Sequence, residues 1–374
     1  MSSNQSRYEV LDGMRGIAAI TVMIYHFTQF GPYPLFQHAP VAVDLFFMLS
    51  GFVIMHSYGK KLRNGMHGAE YAKRRLVRLY PMFLVGILAG IVAYLIANQL
   101  PPGLSSNTDM FSIAAMNALF IPYLDYTNAQ EDYVIVFPSN APLWSLFFEM
   151  FASFVFIGLC RLSDKQIGIF CITCLAGIIC AIVFYIITDS GLGVVTHSGW
   201  ASHLFWAGFA RVLFGFTLRM FLYQNIDKIK AYSITALFER VPYKTVFIGV
   251  GLLVFLSIPM EVMGIYNLIG VVLIMPVFLV TGALTIFEND KILKVCKFLG
   301  WISYPLYCLH LPIGVIVEYV SESIFDVSYY SFLPQAFAIS MSIVAAILVT
   351  KYYDEPVRAL LSGKPPKTVK TAAP

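Results

Sequence analysis

Charge is what this 374-residue chain lacks most. Lys, Arg, Asp and Glu make up 12% of it, against about 25% in a soluble globular protein. Hydrophobic residues reach 58%, and the mean hydropathy is +0.73. Such a composition excludes one or two ordinary soluble domains. A soluble basic domain is also missing: the formal charge of +4 comes from Lys and Arg scattered at the ends of apolar runs, which argues against nucleic acid as a partner. The six cysteines form no ligand set. Cys171 and Cys174 have C-x-x-C spacing, but inside an apolar run without His or acidic neighbours, so they read as small packing residues and no metal is expected. No clear internal repeat marks the inverted halves of a carrier. The first apolar run, after Arg7 and Arg15, ends in no small-residue cleavage site and reads as a retained span rather than a signal peptide.

What is present is a series of apolar segments: 15–32, 41–58, 81–98, 143–160, 167–188, 203–223, 245–261, 265–286, 300–319 and 332–350. Each approaches the roughly 20 residues that cross a 30 Å hydrocarbon layer. Threaded with the N-terminus in the cytoplasm, all of the 25 Lys and Arg except Arg211 fall at cytoplasmic ends or in cytoplasmic loops. The opposite loops hold Asp109, Asp125, Glu131, Asp132, Asp189, Glu261, Glu322 and Asp326, with no base among them. The expectation is an all-α polytopic integral membrane protein of about ten transmembrane helices with both termini cytoplasmic. Residues 1–359 form its membrane unit and 360–374 a flexible Pro- and Lys-rich cytoplasmic tail. The longest exterior connection runs from Pro101 to Pro142. Its stretch 111–123 is too short to span, and lies at the interface or folds back toward the bundle, covering a substrate entrance or packing as a plain loop.

An ionisable group inside an isolated span costs about 2.5–3.5 kcal/mol, so those retained there need a partner, water or a task. They are Arg15, His26, Asp44, Glu149, Arg211 and His310. Eleven helical residues turn the chain about 20° beyond three turns and advance it about 16 Å, so Arg15 and His26 share a face, the first at the cytoplasmic mouth and the second deep in the bundle. A histidine there suits proton transfer near neutral pH. Asp44, on the neighbouring helix, is expected to bond one ring nitrogen of His26 and fix its tautomer. Arg75 and Arg78, one turn apart, either grip a phosphorylated carrier such as coenzyme A or serve only as a topology signal with snorkelling side chains. Ser145 and Glu149 face one cavity; Glu149 orients an acceptor hydroxyl, pairs with Arg211, or acts as a structural hydrogen-bonding group. Tyr304 and Tyr307 line one strip, and His310 positions acceptor or donor. Arg211 is a candidate oxyanion donor.

These residues stand in stretches that resemble the acyltransferase family 3 membrane proteins, which include bacterial O-acetylases of surface or secreted glycans. The stretches are LDGMRGIAAITVMIYH (11–26), VAVDLFFMLSGFVI (41–54), KRRLVRLYP (73–81), PLWSLFFEM (142–150), FARVLFGFTLRMFL (209–222) and FLGWISYPLYCLHLPI (298–313). Ala42 stands where the family commonly has Gly. The resemblance implies His26 as the base-like essential residue, Arg75 and Arg78 as the arginine pair associated with donor use, and acetyl-CoA as cosubstrate. It also implies a glycan or glycolipid acceptor, polysaccharide biosynthesis or export proteins as partners, and the bacterial inner membrane as location. No appended hydrolase-like domain is expected after Ala359. A succinyl donor is the nearest rival, and a polytopic transporter the non-enzymatic one.

Overall fold

In a computed structural model, the described residues are 9–100, 104, 109–125, 134–187, 198–231, 243–259, 263–285 and 289–363. Glu131, Asp132, Asp189, Arg240, Glu261 and tail residues 364–374 lie outside them. The described chain is helical, with one isolated bridge between Ile135 and Ala201. Among the described residues, nine helices are long and apolar enough to cross a membrane. They are α1 (Glu9–Thr28), α2 (Ala39–Arg63), α3 (Gly68–Ala97), α5 (Ala141–Leu159), α6 (Asp164–Phe184), α7 (Ser202–Gln224), α9 (Ile265–Leu284), α10 (Asp290–Ile324) and α11 (Phe332–Leu361). Shorter helices include α4 (Met110–Ala118), α8 (Lys244–Ser257) and the single turn Ile226–Lys230.

The seventh expected span therefore appears as a helix of 14 residues, about 21 Å long at 1.5 Å per residue. Helix direction shows that it still counts as a crossing. α1 and α10 run parallel in steady register: Gly13 lies against Cys296, Gly16 against Leu299, His26 against His310 and Phe27 against Gly314. Among the described helices, only by including α8 does alternation bring α10 into the direction of α1. α2 and α7 form a second parallel pair, with Asp44 beside Arg211 and Gly51 against Phe216. In both pairs glycine permits the close approach: a Cβ on Gly16 would lie 2.6 Å from the carbonyl carbon of Leu299, and one on Gly51 would lie 2.7 Å from the Phe216 oxygen. Glu9 pairs with Lys297 at 2.7 Å and Trp301 donates to Glu355 at 3.1 Å, so both ends of the described chain lie at one end of the bundle, the end richest in Lys and Arg.

Several helices start earlier than the apolar runs suggest. α3 begins at Gly68, where the His67 ring caps Ala69 N–H, so Arg75, Arg78 and Pro81 lie within the helix rather than before it. α10 begins at Asp290, capped by Asn289, and carries Pro305 and Pro312 internally. The last helix continues to Leu361, two residues into the segment expected to be flexible.

The exterior connection folds back onto the bundle. Asp109 caps α4, and the Ser112 hydroxyl with Phe111 N–H holds its carboxyl below the usual aspartate range. Beyond α4 the Phe120 ring stacks on Phe83 at 4.1 Å, and Tyr80 donates to Ala118 O. Residues 136–140 then cross α3 at Gly90, where a Cβ would fall 1.5 Å from Ser139 O. Asn140 ends this crossing as a clamp, its amide donating to Gly86 O of α3 at 3.0 Å and Cys308 O of α10 at 2.8 Å. Proline has no N–H, so Pro312 leaves the Cys308 carbonyl without its usual helical donor, and Asn140 replaces it.

Candidate active site

A cavity of about 770 Å³, counting its open mouth, lies between α1, α2, α3, α5 and α10. Arg15, Arg75, Arg78, Ser303 and Ile54 line the part nearest the basic end, Ser50 and Glu149 the middle, and Phe46, Phe47, Ser145, Leu146 and Tyr307 the inner part. The arginine-lined end and the largely aromatic inner end follow from helix direction, because α2 and α5 descend toward the basic end while α1, α3 and α10 rise from it.

The three arginines differ in how many of their donors are spent. Arg15 is anchored by Asp12 at 2.6 Å, by Ser303 Oγ at 3.1 Å and by Gly300 O at 3.4 Å. Arg75 donates through Nε to Ser153 Oγ at 3.2 Å and through Nη2 to Glu149 Oε1 at 3.1 Å. The same Glu149 oxygen accepts from Ser50 Oγ at 2.8 Å. Glu149 thus pairs with Arg75 rather than Arg211, and its side chain keeps 18% of its surface open. Arg78 is exposed and forms no ion pair or hydrogen bond with the described residues. Its guanidinium fork is the most available in the cavity.

At the inner end the hydroxyls are engaged with each other. Ser145 Oγ and Tyr307 Oη are 2.7 Å apart, and both lie within hydrogen-bonding distance of Pro142 O. Each arrangement of the two protons uses both inside this triad. Tyr304 donates to Leu79 O at 2.5 Å. Phe46 meets the Tyr307 ring edge-on at 5.4 Å.

One turn farther along α10, His310 faces His26. His26 Nδ1 and His310 Nε2 are 2.9 Å apart, and the rings stack with a 17° tilt. His310 is fully buried, whereas His26 is half-buried. Its Nε2 makes no hydrogen bond to the described residues.

Asp44 does not reach this pair. Its carboxylate takes two bonds from Arg211, each at 2.8 Å, with the side chains only 1% and 2% exposed. Arg211 also donates to Ser198 O and Pro40 O, and lies over the Trp144 ring at 5.5 Å. The expected Asp44–His26 contact is thus replaced by a parallel-helix ion pair, and those engaged donors also remove Arg211 as a free oxyanion donor. A helical period names the face a side chain occupies, not the helix opposite it. Three residues escaped sequence reasoning. Asn140 has no periodic signal; its only cue was a polar residue before a proline-led span. Ser50 is a small residue beside Gly51 in an apolar run, and nothing in that run points to its bond with Glu149 on another helix. Arg219, placed at a helix end by the charge pattern, is buried with its guanidinium 3.8 Å from the Phe52 ring centroid. Among the described residues no cluster of His, Cys, Asp or Glu suits a metal ion.

Residues 8–351 match the model of an acyltransferase domain, nearly the whole chain. The chain belongs to this acyltransferase family. This family member is also similar to "Protein 2 in picA locus" of Rhizobium radiobacter, 45% identical over 96 residues, which cover 25% of this chain and 49% of that protein. The chain spans about half the length of that curated relative. No solved structure matches the chain.

Proposed function

We propose that this membrane acyltransferase moves acetyl from acetyl-CoA, admitted at the basic end of the bundle, to a hydroxyl of a cell-surface or secreted glycan reached from the other end. By the positive-inside rule the basic end faces the cytoplasm of a bacterial inner membrane. The observation that carries the reading is the cavity itself: three arginines at its mouth, an apolar inner end, and a histidine pair one helical turn beyond. Arg78, with Arg15 beside it, would hold the donor's phosphates, and Arg75 would hold Glu149 in place for the donor arm. His26 Nε2 would take the proton of the acceptor hydroxyl as its oxygen attacks the thioester carbonyl. The carbon–sulfur bond then breaks, and the thiolate recovers that proton from His26, leaving an O-acetyl ester and free coenzyme A.

Acetyl is favoured over succinyl by what surrounds the inner end. A terminal carboxylate there would meet Phe46, Phe47 and Leu146, two hydroxyls whose protons are committed, and Glu149 along the way. The guanidinium behind the Phe47–Trp144 wall is already bound to Asp44. Purified protein given acetyl-CoA or succinyl-CoA with fractionated cell glycans, followed by mass spectrometry, tests donor and acceptor together. An acetyl ester formed only with active protein is the expected product. Movement of glycan without modification would count for a carrier instead. His26→Ala should remove transfer while folded protein stays in the membrane; full turnover by that variant would reject the base.

A further inference from the structure

We propose that His310 is a positioning residue that holds His26 in the single tautomer able to act as a base at Nε2. The inference rests on the reading of His26 as the base and adds the reason its free nitrogen carries the lone pair. The direction of the hydrogen bonds follows from the one group in the chain that cannot change role. Leu306 O only accepts, and it lies 3.1 Å from His310 Nδ1. His310 Nδ1 therefore carries the proton. A neutral imidazole has one N–H, so His310 Nε2 presents a lone pair. That nitrogen is 2.9 Å from His26 Nδ1, which must donate. His26 is then protonated at Nδ1, and its Nε2, unpartnered among the described residues, is a bare acceptor. The opposite arrangement would set the His310 Nδ1 lone pair against the Leu306 carbonyl.

The surroundings hold His310 still. It is fully buried on the α10 face closest to α1, two residues past the carbonyl clamped by Asn140. Phe27 and Tyr307 flank its ring at 6.3 and 5.9 Å. As His26 takes a proton, its Nδ1–H bond to His310 becomes charge-assisted, so the contact that fixes the tautomer also strengthens during transfer.

The test is nitrogen NMR of full-length protein labelled at histidine, with the His26 signals assigned by their loss in His26→Gln. The expected spectrum shows His26 protonated at Nδ1 and bare at Nε2; a His26 protonated at Nε2 would overturn the proposal. This readout does not depend on turnover, so an active His26→Ala enzyme would reject the base reading separately. Kinetics give the second arm. His310→Gln keeps an acceptor for His26 and a donor for Leu306, and should retain activity within about tenfold. His310→Leu fills similar space without an acceptor and should lower kcat about a hundredfold or more at unchanged donor KM, in keeping with the loss seen when an orienting group lets a catalytic histidine take the wrong tautomer. Equal kcat in the two variants would reduce His310 to a packing residue and overturn the proposal. Should His310→Leu fail to fold, the wild-type spectrum and the His310→Gln rate still decide.

Discussion

Among the described residues, two carboxylate–guanidinium pairs join different helices of the bundle, and they are built for different ends. Asp44–Arg211 is sealed: both side chains are at most 2% exposed, and the bonds converge on a guanidinium also held by two carbonyls. Glu149–Arg75 opens into the cavity, with side chains 18% and 10% exposed, and the bonds from Arg75 and Ser50 both fall on one carboxylate oxygen. A sealed pair can only hold helices together; an open pair has capacity left for a ligand. Residue type does not separate the two cases, whereas the count of committed donors does.

The largest effect should come from breaking the sealed pair. Arg211→Ala strands a buried carboxylate and should destabilise the protein by about 3–5 kcal/mol, read as a fall in thermal midpoint in detergent. Joint replacement by Asp44→Leu and Arg211→Met should recover most of that loss; a double variant as unstable as the single would mean that the pair does more than join α2 to α7. At the open end, Arg78→Ala should raise donor KM about 10- to 100-fold, corresponding to roughly 1.5–3 kcal/mol for a charged hydrogen-bonding contact, with stability unchanged. An unaltered KM would remove Arg78 from the donor site. The smallest effect should follow Arg74→Ala. Arg74 pairs with Glu70 at 2.7 Å, but both are about half exposed, so stability should shift by less than about 1 kcal/mol and donor KM should stay at the wild-type value. A KM rise there equal to that of Arg78→Ala would show that general positive charge, not cavity geometry, draws the donor.

Much of the fold was legible because a bilayer imposes rules that short stretches of sequence obey. Apolar length located the helices, and the distribution of Lys and Arg alternated them; α8 was recognised as a span although its described helix is short. Helix starts were less legible, since capping by His67 and Asn289 extends α3 and α10 well beyond their apolar runs. The members of the site were visible as ionisable groups out of place, but their pairings were not. Asp44 and His26 are on adjacent helices, yet α2 turns Asp44 toward α7, while the small residues of α1 and α10 bring His310 to His26. Such choices depend on which helices touch and at what register, and no single segment carries that information.

The parallel register of α1 and α10 also has a temporal meaning. His26 and His310 are 284 residues apart, so the ribosome releases one long before the other. Until the tenth helix in this numbering enters the bilayer, the first holds an imidazole with no fixed protonation pattern and a groove lacking one wall. On the reading of His26 as the base, a nascent chain that has not yet made α10 would hold no oriented base and would transfer no acyl group.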